Sequence, residues 1–444
     1  MIAAALAVSL GAKPRRLKEP GPKPIVPGTK VYLLKPDGTS PAKEGRLIIT
    51  PHTELYDDDG NFSVATDVEV PRFDPGADAV AYLQTHGYVV IKEVLNSTDL
   101  ALAEELMWNY FEDVGVDRDE PETWKDAKPN QYGIFWQYGS GHSRFLWHIR
   151  TRPRLLQAFE LFWNTSELLT SFEGFSMFPP ASVEDEWLIA ESWFHTDQNA
   201  ASRPGLQTIQ SFTSLYDQDE HTGAFVVVPR SHDDHLGVTQ RVYEDKWIDP
   251  DTQFLMVPPN DQILLGRTHP PPHVVRVRAG DSVLWDSRTV HCNTPPMRNR
   301  GAAPPVSGAR ARRPNRVVAY AAMAPRAKAT ASVLQQRLAG FRRQQTCTHW
   351  PFEFICLDPP AALGEPSADA MRLALDAGAP PSTPMAELVL SLVGAPGGEV
   401  PDDGGAEERA RRERARRKAT AKPIAPNQCP AWRHNVREGE INSG

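Results

Sequence analysis

The chain has 444 residues, 40% of them hydrophobic, and a formal net charge of −8. That apolar content supports a sizeable core and excludes disorder of the whole chain, and the acidic balance gives no reason to expect nucleic-acid binding by the body. Four widely spaced cysteines, Cys292, Cys347, Cys356 and Cys429, form no CxxC pair and no dense framework, which fits a reduced compartment.

Residues 1–65 are rich in Pro, Gly and charge, and "EPGPKPIVPGTK" excludes a helix interior there. They are expected to form a partly disordered N-terminal extension with short strands at "KVYLL" and "GRLII". In "MIAAALAVSLGAKPRR" the apolar run precedes the basic residues, the reverse of a secretory signal, and it is too short to span a membrane as a helix. A cytoplasmic location is expected, with organellar or nuclear targeting left open.

Residues 66–326 are expected to form the main domain. A helix ends at Gly87, "YVVI" is a strand, and "NSTD" caps an amphipathic helix from about Asp99 to Glu112. The aromatic-rich stretch 131–185 is expected to pack helices on the back of a sheet, with "YGSGHSRFLW" lining an entrance and His142 and His148 structural. From 186 to 325 the segments "TIQSFTSLYD", "GAFVVVP", "HVVRVRAGDSVLWD" and "RVVAYAAM" are strand-like, separated by turns, with no βαβ alternation. The fold class is therefore mainly β with flanking helices, built on a jelly-roll, cupin-like core.

Residues 327–444 are expected to form a helical C-terminal extension. "VLQQRLAGFRRQQ" is its clearest helix, and seven basic residues crowd positions 409–418 of a solvated, disordered tail.

Chemistry concentrates in "ESWFHTDQNA". On an extended strand His195 and Asp197 point to the same face. H-x-D alone is a poor signal, because His232-Asp233-Asp234 and His52-Thr53-Glu54 offer similar triplets. A facial triad of two His and one carboxylate needs a second His on another strand. "AGDSVLWDSRTVHCN" supplies His291, 94 residues beyond Asp197, whereas His232 ends a strand where it would cap the following turn. A cation able to clamp a dicarboxylate with two parallel hydrogen bonds is the third need. Arg316 leads the strand "RVVAYAAM", while Arg298 and Arg300 fall in a Pro/Arg-rich loop.

The ordered set "HGYVVIKEVL", "WFHTDQ", "SLYDQDEHTGAFVVVPRSH", "AGDSVLWDSRTVHCN" and "RVVAYAAM", over about residues 72–325, resembles the phytanoyl-CoA dioxygenase family of Fe(II)/2-oxoglutarate oxygenases. The resemblance implies a double-stranded β-helix with His195, Asp197 and His291 as iron ligands. It implies Arg316 as the 2-oxoglutarate clamp and Phe212 as an aromatic against the cosubstrate. It implies a dioxygenase that takes Fe(II), 2-oxoglutarate and O2, with ascorbate as reductant, and hydroxylates a small organic substrate with release of succinate and CO2. Related halogenases carry a small residue where Asp197 stands, so Asp197 favours hydroxylation. The chain departs from the family pattern in one respect. The distal His and the Arg lie closer together in the family, and here 25 residues separate them, which an insertion at 297–314 explains. That spacing leaves Arg298 and Arg300 as competitors for the clamp.

Two other readings compete. A cupin-like metal hydrolase or isomerase would share the ligands but not need Arg316, and a catalytically silent binding protein would keep only the fold. The pocket walls are expected from 131–145, 232–275 and 297–314, with His269 and His273 at the rim. The expected partner is a small-molecule substrate, with no nucleic acid and no membrane span. The prime substrate and the oligomeric state are not legible.

Overall fold

Alternation of large apolar residues along the strands sets the architecture of the computed structural model. It describes residues 63–121, 123–124, 129–130, 132–180, 193–245, 252–257, 265, 268–296, 313–357 and 383–395, with backbone strands at 31–34, 41–45 and 48–50. The rest of the N-terminal extension, the loop carrying Arg298 and Arg300, His52 and Glu54, and the basic tail lie outside the described residues.

The strands are, in chain order, β1 (Val31–Leu34), β2 (Pro41–Gly45), β3 (Ile48–Thr50), β4 (Ser63–Ala65), β5 (Arg72–Phe73), β6 (Tyr88–Ile91), β7 (Ile134–Phe135), β8 (Leu168–Thr170), β9 (Phe175–Phe178), β10 (His195–Thr196), β11 (Ile209–Ser214), β12 (Ala224–Val227), β13 (Leu255–Met256), β14 (His273–Val275), β15 (Ser282–Asp286), β16 (His291–Thr294) and β17 (Arg316–Pro325). The helices that matter are α1 (Ala77–His86), α2 (Ser97–Asp113), α3 (Arg144–Arg150), α4 (Pro153–Trp163), α5 (Ala331–Arg342) and α6 (Thr383–Val393).

One sheet runs β13-β10-β16-β12-β14-β4-β3 and the other β5-β6-β15-β11-β17-β9-β7, with β8 added beside β17. Together they form the expected jelly-roll core, a double-stranded β-helix. Tyr88, Val90, Phe212, Val283, Trp285 and Val318 of the larger sheet meet Phe225, Val227 and Val275 of the smaller one in a shared interior. The alternate residues Val89, Ile91, Ile209, Leu284, Val317, Ala319 and Met323 face outward against Met107 and Phe111 of α2, Trp147 of α3 and Phe159 of α4. Each such side chain contributes roughly 1.5–3 kcal/mol on full burial. A one-residue slip of β11 would exchange Phe212 for its outward neighbours, so the pattern fixes the register.

The connections behave as their residues dictate. Gly87 ends α1 at φ 82, a left-handed conformation that glycine adopts without strain. Asn96 caps α2 by accepting the amide of Asp99 at 2.9 Å.

Other placements differ from expectation. The "YGSGHSRFLW" segment lines no entrance: it folds into a buried turn at Ser140–His142 and into α3. A Cβ at Gly141 would meet the carbonyl of Phe172. The C-terminal extension is tied to the body. Arg337 of α5, buried, donates to the carbonyls of Thr170, Leu392 and Val393.

Candidate active site

The short strand β10 is held between β13 and β16, and its only partner on β16 sets His195 directly opposite His291. The two rings lie 4.4 Å apart. Asp197 follows just beyond the strand, its amide bonded to the Ser287 carbonyl at 3.0 Å. Ligand-capable atoms of His195, Asp197 and His291 all lie within 4.8 Å of one another, the one such group among the described residues.

The tautomers follow from the backbone. His195 Nδ1 lies 3.0 Å from the Trp193 carbonyl and His291 Nδ1 lies 2.9 Å from that of Thr289. A carbonyl can only accept, so each Nδ1 carries a proton, and each Nε2 is the nitrogen left to give a lone pair to a metal. Both Nε2 atoms face the carboxylate, His195 at 3.3 Å from Oδ1 and His291 at 3.2 Å from Oδ2. Gln210 Nε2 donates to Asp197 Oδ2 at 2.8 Å, and His349 Nε2 donates to the Asp197 carbonyl at 2.9 Å. Burial opposes ionisation of Asp197, but the two imidazoles hold its carboxyl well below the usual range. Burial, reinforced by His195, pushes the His291 imidazole below its ordinary value. Neutral imidazoles and an ionised carboxylate are the forms a divalent cation requires.

Arg316 opens β17, opposite Phe178 of β9, and is fully buried. Its guanidinium sits 5.0 Å from the Phe178 ring and 5.4 Å from that of Phe212. It donates to Gln218 Oε1 at 2.9 Å, Asn293 Oδ1 at 2.9 Å and Ser176 Oγ at 3.4 Å. These acceptors are neutral, and among the described residues no carboxylate pairs with it. Burial lowers its pKa, and the Tyr320 hydroxyl partly opposes this.

A cavity of about 120 Å³ opens beside His195, Asp197 and His291, with Arg316 behind its lining. Trp193, His195, Asp197, Gln210, Phe212, Phe225, Trp285, His291 and Asn293 form its floor, with Ile134, Trp136, Glu173, Gly174 and Tyr320 beside them. Only the first of the three expected wall segments contributes described residues, Ile134 and Trp136. None comes from the described residues of 232–275, and 297–312 lies outside the described residues. Thr348, His349 and Leu357 of the C-terminal extension line the cavity instead.

The remaining histidines stay apart. His232 Nε2 donates to the Gln84 carbonyl at the end of α1, 3.1 Å away, and does not cap its own turn. His142 and His148 are buried and bond the carbonyls of Gln345 and Asp99. His269 is half-buried beside Thr268. His273 is no rim residue: it is buried on β14 and meets the Tyr88 hydroxyl at 2.8 Å. Its Pro-rich approach suggested a loop, but the β-branched pair after it forms a strand in the sandwich.

Gln210, Asn293, Tyr320, Glu173 and His349 escaped the sequence reading. Gln210 and Tyr320 shared strand faces with Phe212 and Arg316, a period-two signal that could have found them. His349 carried no such signal.

Residues 83–295 match the family model described as phytanoyl-CoA dioxygenase (PhyH). Ava biosynthesis cluster protein O of Aspergillus versicolor is 27% identical over 194 residues, covering 42% of this chain and 62% of that protein. The match thus spans about three fifths of that relative's length. Similar solved structures include SnoK, a non-heme alpha-ketoglutarate-dependent carbocyclase from nogalamycin biosynthesis. It is 17% identical over 57% of this chain and 86% of its own, with a TM-score of 0.33. EctD from S. alaskensis with bound Fe is 14% identical over 59% of this chain and 81% of its own, with a TM-score of 0.38. No helix among the described residues is long and apolar enough to cross a membrane.

Proposed function

We propose that the chain, whose residues 83–295 match the phytanoyl-CoA dioxygenase family model, is an Fe(II)- and 2-oxoglutarate-dependent hydroxylase of a small organic substrate. One observation carries this most directly. Two imidazoles with Nδ1 committed to carbonyls turn Nε2 toward a single carboxylate, beside a buried Arg whose acceptors are all neutral. Two nitrogens and one oxygen on one side suit iron and leave its other positions open.

In this proposal His195, Asp197 and His291 hold the iron. Gln210 keeps the Asp197 carboxylate turned inward, and the Nδ1 bonds keep both rings from rotating away. Arg316 takes the far carboxylate of 2-oxoglutarate, helped by Asn293 and Tyr320, and Phe212 packs against its chain. Held by these residues, iron and 2-oxoglutarate would supply O2 activation coupled to decarboxylation of the cosubstrate to succinate. The protein aligns the substrate and keeps bulk water out with Trp193, Phe225 and Trp285. A carboxylate at 197, and not a small residue, leaves no room for a halide and favours hydroxylation. Residues 66–326 form the catalytic body, and the 346–357 segment completes its wall.

The test is conversion of 2-oxoglutarate to succinate by protein supplied with Fe(II), O2 and ascorbate. Wild type should turn over and His195→Ala should not. Equal succinate from both would remove His195 from the site, and a chlorinated product in chloride buffer would overturn hydroxylation.

A further inference from the structure

We propose that the cavity wall remote from Arg316 recognises a substrate bearing a protonated amino group, with Glu173 as its anchor. This inference rests on the oxygenase proposal for which end of the cavity faces the prime substrate.

Placement comes first. Arg316 is the first residue of β17. Glu173 Oε2 accepts the Ser171 hydroxyl at 2.7 Å, and Ser171 Oγ in turn accepts the backbone amide of Ala322 at 2.9 Å. Ala322 lies six residues beyond Arg316 on the same strand, a rise of about 20 Å. Arg316 thus lies behind the lining toward the start of β17, while Glu173 lines the cavity further along the strand, with Tyr320 between them. Gln210, which holds Asp197, is the register partner of Ala322 on β11. The Asp197 carboxylate is therefore within side-chain reach of the Glu173 end.

Charge comes second. Among the described residues no cation lies within ion-pair distance of the Glu173 carboxyl. Arg150, a buried cation close by, donates instead to the carbonyls of Gly141 and of Glu173 itself. Burial, with the negative charge of Asp197 adding to it, pushes the Glu173 carboxyl up to about 7, against the Ser171 hydrogen bond and the charge of Arg150. A half-buried carboxylate with no ion-pair partner is costly, and either a proton or an incoming cation relieves it. The hydroxyl of Ser171, itself fixed by the Ala322 amide, holds it in place without neutralising it.

The surroundings suit an ammonium group on an apolar frame. Trp136, Thr348 and Leu357 line the same cavity as Glu173, and an indole face attracts a cation as well as an apolar chain. A substrate carboxylate would be repelled here by Glu173 and Asp197 together. The cavity is divided, with an anion-binding end at Arg316 and a cation-binding end at Glu173.

The test compares direct binding of hexylamine and benzylamine with that of hexanol and benzyl alcohol by anaerobic calorimetry on the full chain, with and without Fe(II) and 2-oxoglutarate. Wild type should bind the amines at least about tenfold tighter than the alcohols, since a desolvated charge pair exceeds a neutral contact. Glu173→Gln, which keeps shape and hydrogen bonding but not charge, should abolish that preference and leave the alcohols unchanged. In wild type, amine affinity should fall between about pH 8 and pH 6 as the carboxyl is protonated. This second readout decides the matter should the variant not fold. Equal or undetectable binding of both classes by wild type, or a preference surviving Glu173→Gln, would overturn the inference. Failure of wild type to take up iron or 2-oxoglutarate would sink the oxygenase proposal, while the amine preference is read without either.

Discussion

Gln210 donates to Asp197 Oδ2 at 2.8 Å, the same oxygen that faces Nε2 of His291 at 3.2 Å. An amide two residues from Phe212 on β11 thereby fixes the carboxylate that would complete the metal site. Gln210→Leu removes the donor and keeps the bulk. Fe(II) affinity should drop about 10–100-fold, the usual consequence of losing a partner that orients a ligand. Anaerobic competition against a chelator measures this, and unchanged affinity would show that Asp197 needs no such support.

Arg316→Lys keeps the charge but loses the planar fork. The dissociation constant for 2-oxoglutarate should rise on the order of 100-fold, about 2.7 kcal/mol. In wild type, excess 2-oxoglutarate with metal should raise the melting temperature by mass action, and in the variant it should not. An equal shift in both would pass the clamp to another cation, with Arg298 and Arg300 the first to test.

Burial depresses the imidazoles of His142, to about 3, and His148, to about 4. Below their ordinary value of 6.5 the unfolded chain takes up protons that the folded chain refuses. Stability should therefore be fully present above that value and lost as pH falls toward about 4. Thermal melts across this window should show a falling midpoint, less steep in His148→Gln. A flat profile would contradict the buried neutral state of both rings.

Cys347 and Cys356 face each other as bridge partners, with Sγ atoms 3.8 Å apart. The flanking bonds run from Thr348 to Ile355 and from Leu357 to Thr346. The cysteines thus form the non-hydrogen-bonded pair, whose Cα separation of about 4.5 Å lies within disulfide range. Glutathione disulfide should oxidise the two thiols to a bridge, being reduced to two glutathione molecules. Mass spectrometry should show loss of two hydrogens, prevented by Cys347→Ser. An unchanged thiol count would contradict the register of this hairpin, which carries His349 to the site.

Much of this was legible because strands expose their pattern. The Val/Trp alternation in "SVLWD" and the β-branched lead of "RVVAYAAM" placed His291 and Arg316 at strand ends, and the fold brings the first of these against His195. What escaped lies where period-two reasoning has no purchase. His349 reaches Asp197 from 152 residues away, on an irregular segment with a single bridge. Glu173 is one acid in an aromatic run, and only the pairing of β8 and β9 with β17 brings it into the cavity wall. His273 was misplaced because the prolines before it signalled a loop more strongly than two valines signalled a strand.

Anaerobic titration of Fe(II) and then 2-oxoglutarate into the metal-free protein tests the central claim most directly. Wild type should bind one Fe(II) per chain and then one 2-oxoglutarate whose binding requires that metal. His195→Ala and His291→Ala should lose both steps, and Arg316→Lys only the second. Stoichiometric Fe(II) binding that survives both His substitutions, or 2-oxoglutarate binding indifferent to metal and to Arg316, would contradict it.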